Sequence, residues 1–276
     1  MVTIKKEKIL GFLNLIRTGN TIFSYVVALA GYYIASGNLP GIAVLIACLC
    51  VPLNVSAGNI LNDFLDIKYD IHSKRKKPLV SGVINQKTAF KLSVILFAVS
   101  FAVSFFFPEI LLINIFSIIL IIYYDKFSKN IHLLGNVIVS SLVALAVLFG
   151  SILARNAGRV IYLALSAFFI NLARELVKDI EDMDSDKKTE GKTFPILYGI
   201  EETRAVILSS FFLTFFPFLI LVIQKDTTFS YLGFSIVLIL GFISIIYTAE
   251  NIKKNASIIQ KIYKMIMVLS FITVIF

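Results

Sequence analysis

The chain has 276 residues, of which 58% are hydrophobic and only 16% charged, and its formal net charge is +9. So apolar a composition excludes an ordinary soluble domain. At roughly 20 apolar residues per spanning helix, nine spans use about 180 residues and leave about 96 for connections, so an all-α polytopic membrane protein fits the length. The apolar runs are continuous and rich in Ile, Leu and Phe rather than alternating, which argues against a transmembrane barrel.

Nine candidate spans occur in chain order, at 18–36, 39–61, 89–107, 109–124, 133–154, 160–178, 204–223, 229–248 and 258–276. The N-terminal segment is basic but does not lead straight into a short apolar stretch with a small-residue cleavage site, so the first run reads as a retained span. Within the second run Cys48 and Cys50 sit two residues apart, on nearly opposite sides of a helix and with no His nearby. They read as packing residues rather than metal ligands or a disulfide. The third and fourth spans meet at Phe107-Pro108-Glu109, a turn so tight that eight spans remain an alternative. No linker, low-complexity segment or second domain interrupts the chain, so residues 1–276 read as a single transmembrane domain.

Basic residues are retained on the cytoplasmic side during insertion. Of the 26 Lys and Arg, only Arg155, Arg159 and Lys225 fall with the odd-numbered connections. The N-terminus and the even-numbered span ends are therefore expected on the cytoplasmic side of a cell membrane. This asymmetry accounts for most of the positive charge, and no nucleic-acid partner is needed to explain it.

Two acidic clusters share one spacing. The end of the second span reads Asn59-Ile-Leu-Asn62-Asp63-Phe-Leu-Asp66-Ile-Lys-Tyr-Asp70, and the end of the sixth reads Glu175-Leu-Val-Lys178-Asp179-Ile-Glu-Asp182-Met-Asp-Ser-Asp186. Positions i, i+3 and i+7 fall within a roughly 60° arc of a helix, and i−4 (Asn59, Glu175) joins them. Carboxylates about 5–6 Å apart repel, and charge near a bilayer is costly unless paired or wetted, so a cation is expected at each face. Oxygen ligands without His or Cys favour Mg²⁺, which shares its coordination sphere with water and phosphate oxygens. Both clusters close even-numbered spans, so two Mg²⁺ sites are expected to face each other across a bundle mouth and clamp one diphosphate. Glu181 and Asp184 fall on the other side of their helix and read as solvated charges, while Lys74, Arg75, Lys76 and Lys77 read as topology or lipid-headgroup residues, one of which could serve as a lid over a diphosphate.

These residues resemble the UbiA-type superfamily of intramembrane prenyltransferases. Asn62-Asp63-x-x-Asp66-x-x-x-Asp70 is similar to its first aspartate motif, and Lys77-Pro78-Leu79-Val80-Ser81-Gly82 to the R-P-L-x-S-G after that motif. Lys178-Asp179-x-x-Asp182-x-x-x-Asp186 is similar to the second motif, and Lys192-Thr193-Phe194-Pro195 to the K-T-x-P after it. The resemblance implies a helical bundle around a central cavity and Mg²⁺-dependent use of a polyprenyl diphosphate donor, with a lateral opening for its tail. Lys77 departs from the Arg of many members and keeps the charge without the bidentate fork. Arg174-Glu175-x-x-Lys178-Asp179-Ile180-Glu181-Asp182 looks most like the archaeal digeranylgeranylglyceryl phosphate synthases, which implies a geranylgeranyl diphosphate donor and a geranylgeranylglyceryl phosphate acceptor.

On this reading Asp63, Asp66 and Asp182 are the catalytic acids. Asn62, Asp66 and Asp70 form one metal cluster and Asp182 and Asp186 the other, with Asp63 and Asp179 as ligands or as groups that orient them. Lys126 and Lys178 are expected to touch the diphosphate, with Asn59 beside them, and Arg17 and Asn20 to grip the polar head of the acceptor. Tyr123 and Tyr124 could turn a ring face to the carbocation, although a Tyr pair at a span end also suits the interfacial belt. Two rival readings are C-prenylation of an aromatic quinone precursor and a cation-coupled transporter. Transport would favour acids near the bilayer midplane, and none is found there.

Overall fold

A computed structural model describes residues 2–72, 77–128, 131–188 and 191–276 of the chain, and within them α-helix is the dominant element. Lys74, Arg75 and Lys76 lie outside the described residues. The helices run α1 Val2–Leu15, α2 Thr18–Ser36, α3 Ile42–Cys48, α4 Cys50–Leu65, α5 Ile67–His72, α6 Gln86–Phe105 and α7 Pro108–Tyr123. A single π turn, Tyr124–Ser128, and a two-residue strand β1, Ile131–His132, precede α8, Leu134–Leu153, and α9, Val160–Lys187. Strand β2, Lys192–Thr193, leads to α10 Phe194–Tyr198, α11 Ile200–Lys225 and α12 Thr228–Ile275.

Seven helical stretches among the described residues are long and apolar enough to cross a membrane, with α3 and α4 joined as one of them and the π turn continuing α7. Two physical details reconcile them with the nine expected spans. The 48 residues of α12 are interrupted at Asn251, whose φ of −162° and ψ of 95° are extended rather than helical. Asn251 caps the second half of the helix by accepting from the Lys254 N–H at 3.0 Å, and Asn255 donates to the Tyr247 carbonyl at 3.1 Å, so the backbone groups near the break find partners. The eighth and ninth expected spans are the two halves of this element. Helix α2 coincides with the first expected span, but Thr18, Asn20, Thr21 and Ser24 make it more polar than the seven. The tight turn after α6 separates two helices, because Pro108 takes the first position of α7, where its missing N–H costs no bond.

The chain forms two compact units. The first comprises residues 1–29 and 38–127, and the second residues 30–37 and 128–276. At the centre of the first unit α4 packs against α6 and α7 through Ala57, Gly58, Ile60 and Leu61. A Cβ on Gly58 would lie 2.7 Å from Ile121 Cγ2, so the close approach of α4 to α7 requires glycine there. Deeper in the same unit Asn54 donates to Asn114 Oδ1 at 2.8 Å, and Asn114 donates to Ser100 O and Ser104 Oγ. Cys48 and Cys50 are buried free thiols.

In the second unit α9 is the central helix, packed by α8, α11 and α12. It buries Leu163, Ala167, Ile170, Ala173, Leu176 and Ile180. Strands β1 and β2 pair in parallel, Ile131 opposite Lys192 and His132 opposite Thr193, and so tie the segment before α8 to the segment after α9. Each unit is thus built around the helix that carries an acidic motif.

Candidate active site

The first motif occupies the end of α4 and all of α5. Expectation placed its acids on one uninterrupted helical face. In the structure the helix pauses at Asp66, with φ −85° and ψ 1°, although Asp66 N–H still reaches Asn62 O and Asp70 N–H reaches Asp66 O, both at 2.9 Å. Asp63 and Asp70 are 4% and 1% exposed. Carboxylates so enclosed require a cation. Lys77 supplies it, with Nζ 2.9 Å from Asp63 Oδ1 and 2.8 Å from Asp70 Oδ2. Arg17 adds a second contact to Asp63 Oδ1 at 3.4 Å.

The placement of Lys77 is set by the residues after it. Ser81 N–H bonds to Lys77 O at 3.0 Å, and Gly82 closes the turn with a φ of +71°, a left-handed conformation that glycine adopts without strain. Leu79 is buried with Leu15, Ile60 and Ala89, which pins that turn to the core beside α4. Lys77 therefore belongs to the polar cluster, and not only to topology or lipid headgroups as its place in a basic run suggests. Arg17 itself has a left-handed φ of 52° at the corner between α1 and α2. Asn59 supports that corner by donating to Ile16 O at 3.2 Å.

Asn62 donates its amide to Asp125 Oδ1 at 3.0 Å. Asp125 sits in the π turn after α7, and no motif spacing singled it out. Of the other expected substrate contacts in this unit, Asn20, Lys126 and Tyr123 have exposed side chains. The Tyr123 ring lies 5.6 Å from that of Phe127 in a tilted arrangement, the geometry of an aromatic contact at a helix end.

In the second unit α9 is continuous to Lys187, so Asp179, Asp182 and Asp186 do share one helical face. Asp179 Oδ2 accepts from Asn136 Nδ2 at 2.8 Å, and Asn136 is buried in the first turn of α8. Buried Glu175 is paired with Arg174 and lies 3.8 Å from Lys178 Nζ, whose side chain is half exposed. Asp182 and Asp186 are partly buried, and Gly191 N–H bonds to Asp186 O at 2.9 Å. On the other side of α9, Asp184 pairs with Lys253 at 2.7 Å and Glu181 accepts from Gln260. Those two acids are thus surface partners of α12 and not members of the motif face.

Hard, buried carboxylate and amide oxygens suit Mg²⁺, and Asp125 Oδ2 is enclosed with no hydrogen-bond partner among the described residues. Among the described residues no three or more His, Cys, Asp or Glu side chains converge into a ready-made metal cage. Sequence reasoning missed Asp125 and Asn136, which lie outside both acidic repeats. It also missed the contact partners of Lys77, for which the K-P-L-x-S-G turn is the signal.

The model of the UbiA prenyltransferase family matches residues 24–269. The chain is 34% identical over 204 residues to digeranylgeranylglyceryl phosphate synthase of Thermococcus kodakarensis, covering 73% of each protein. It is 30% identical over 274 residues to that of Methanosphaera stadtmanae, covering 95% of this chain and 97% of the relative. Among solved structures it is similar to a digeranylgeranylglyceryl phosphate synthase in membranes, with a TM-score of 0.77, 29% identity and 98% of both chains covered. A UbiA homologue from Archaeoglobus fulgidus bound to GPP and Mg²⁺ shares the fold at a TM-score of 0.68 and 16% identity, with 96% of this chain and 99% of that one covered.

Proposed function

The chain belongs to the UbiA prenyltransferase family, an integral membrane family, and from that premise we propose that it transfers the geranylgeranyl group of geranylgeranyl diphosphate to the free hydroxyl of geranylgeranylglyceryl phosphate. The observation that carries the acceptor is the 30% identity to a digeranylgeranylglyceryl phosphate synthase over 95% of this chain, a span that includes both acidic motifs. Residues 1–276 act as one catalytic domain, and its polar ends lie on the cytoplasmic side, as the distribution of Lys and Arg suggests.

In the reaction the C1–O bond of the allylic donor breaks and pyrophosphate leaves. The acceptor oxygen bonds to C1, and its proton is lost to the released pyrophosphate. Mg²⁺ supplies the positive charge that offsets the charge developing on the leaving group. Asn62, Asp66 and Asp70 would hold one such ion at the first motif, and Asp179, Asp182 and Asp186 would hold another at the second. Asp63, already engaged by Lys77 and Arg17, keeps those two cations in place. Lys126, with Asn59, in the first unit and Lys178 in the second are the groups offered to diphosphate oxygens, and Arg17 and Asn20 meet the phosphate of the acceptor. Tyr123 stands at the end of α7, where a ring face is available to the allylic cation. The apolar walls of the helices exclude water, which would otherwise capture that cation.

The test is to incubate purified protein with labelled geranylgeranyl diphosphate, with and without Mg²⁺, against a panel of glyceryl-phosphate lipids and aromatic quinone precursors. Mg²⁺-dependent ether formation on the lipid alone supports the proposal. Product on the aromatic acceptors alone would transfer the activity to the other branch of the family.

A further inference from the structure

Asp125 is the acid that neither aspartate motif accounts for. Helix α7 is apolar from Ile110 to Ile122 apart from Asn114 and Ser117, and it ends in the π turn Tyr124–Ser128, which carries Asp125. Such wide turns are rare, and they re-aim the side chains that come after them. Here the carboxyl of Asp125 meets Asn62 of α4, with 3.0 Å between Asn62 Nδ2 and Asp125 Oδ1. The other oxygen, Oδ2, is enclosed and has no hydrogen-bond partner among the described residues. Arg17 and Asp63, the ion pair of the same cluster, both act electrostatically on this carboxyl.

The chemistry of the pair has one orientation. An ionised carboxylate only accepts, so the side of Asn62 that faces Asp125 must be its NH₂ group. The carbonyl oxygen of Asn62 is then turned the other way, as the acceptor that the first motif presents. Without Asp125 the amide loses that partner, and its NH₂ group can turn towards the cation, which repels it. A group that fixes the orientation of a ligand is commonly as necessary as the ligand itself.

We propose that Asp125 is a positioning residue for Asn62, holding the amide so that its carbonyl oxygen faces the Mg²⁺–diphosphate. This rests on the prenyl-transfer reading. An amide at position 125 still offers a carbonyl to Asn62 but also permits the reversed pair, so it keeps the hydrogen bond and gives up only about a factor of two in the competent orientation.

The experiment uses full-length protein purified in detergent, with two readouts. One is the Mg²⁺ concentration for half-maximal prenyl transfer, and the other is the rise in melting temperature produced by geranylgeranyl diphosphate with Mg²⁺. Asp125→Ala raises the half-saturating Mg²⁺ concentration about tenfold or more, the loss typical of removing a ligand's support, and cuts the ligand-induced stabilisation. Asp125→Asn stays within about threefold of the parent, as a retained hydrogen bond requires. If Asp125→Ala binds Mg²⁺ as the parent does, or if Asp125→Asn is as impaired as Asp125→Ala, the proposal is overturned. Should Asp125→Ala not fold, the exchange Asn62→Asp with Asp125→Asn decides, because it keeps the bond with donor and acceptor reversed. Preserved stabilisation in the exchange supports the proposal, and its loss overturns it. A parent protein that gains no stability from Mg²⁺ and diphosphate would instead sink the prenyl-transfer reading itself.

Discussion

Removal of Lys77 offers the sharpest test of how the first unit balances its charges. Asp63 and Asp70 have side chains 5% and 1% exposed, and the ammonium of Lys77, whose side chain is 20% exposed, lies within 2.9 Å of both. Replacing Lys77 by Met keeps most of the apolar stem and deletes the cation, leaving Asp70 without that ion pair and Asp63, among the described residues, with the longer contact to Arg17. Breaking a buried pair from one side costs about 3–5 kcal/mol. Arg17 and local wetting relieve part of this, so a loss of about 2–3 kcal/mol is expected, which in a chain of this size is roughly 4–12 °C in apparent melting temperature. On the proposed reading Asp70 is both a metal ligand and a partner of Lys77, so the variant gains more stability from added Mg²⁺ than the parent does. The assay is a thermal melt in detergent across a Mg²⁺ titration, with Ca²⁺ and monovalent salt as controls. A variant that melts within about 2 °C of the parent without Mg²⁺, or that responds no more strongly to the ion, would refute the view that Lys77 stands in for a metal at these acids.

The same geometry sets further expectations. Asp66→Asn or Asp182→Asn lowers turnover by roughly a thousandfold or more in a protein that still melts cooperatively, as loss of a metal-directed carboxylate demands; near-parental Mg²⁺-dependent product formation in either variant would remove that residue from the site. Asn114→Leu takes away the centre of the intramembrane cluster that joins Asn54, Ser100 and Ser104, and about 1–2 kcal/mol of stability should go with it, read as a lower detergent midpoint. Gly82→Ala places a Cβ at a φ of +71° and should cost about 1 kcal/mol together with weaker donor binding, since the substitution strains the turn that holds Lys77. Unchanged affinity for the diphosphate in that variant separates the turn from the site.

Much of this arrangement is legible in the order of residues, because periodicity and length are local properties. The spacing Asp179, Asp182, Asp186 reports a helical face directly, and α9 is continuous through it. The same spacing in the first motif passes through a pause at Asp66, since three carboxylates on a helix do not reveal where Lys77 returns to bridge two of them. The span pattern was readable for a similar reason, while the break at Asn251 inside α12 depends on how Asn251 and Asn255 satisfy the interrupted backbone. Asn136 and Asp125 were not legible at all. Each carries its meaning only through a partner 43 or 63 positions away, and a lone polar residue at a span end has no periodic signature.

The positions that escaped the sequence share a physical reason for being where they are. In a lipid-embedded bundle, apolar packing distinguishes poorly between one helix register and the next, because lipid tails are as apolar as Leu. A buried amide that donates to a carboxylate has a single satisfactory register, and a slip of one residue strands both groups at a cost of about 1–3 kcal/mol each. Asn62 to Asp125 sets α4 against the end of α7, and Asn136 to Asp179 sets α8 against α9. In both units the bond is made at the acidic motif and not at the far end of the helices. The same interaction that fixes the register of the bundle therefore fixes the direction in which a motif side chain points, so that in each unit helix packing and ligand orientation are one constraint.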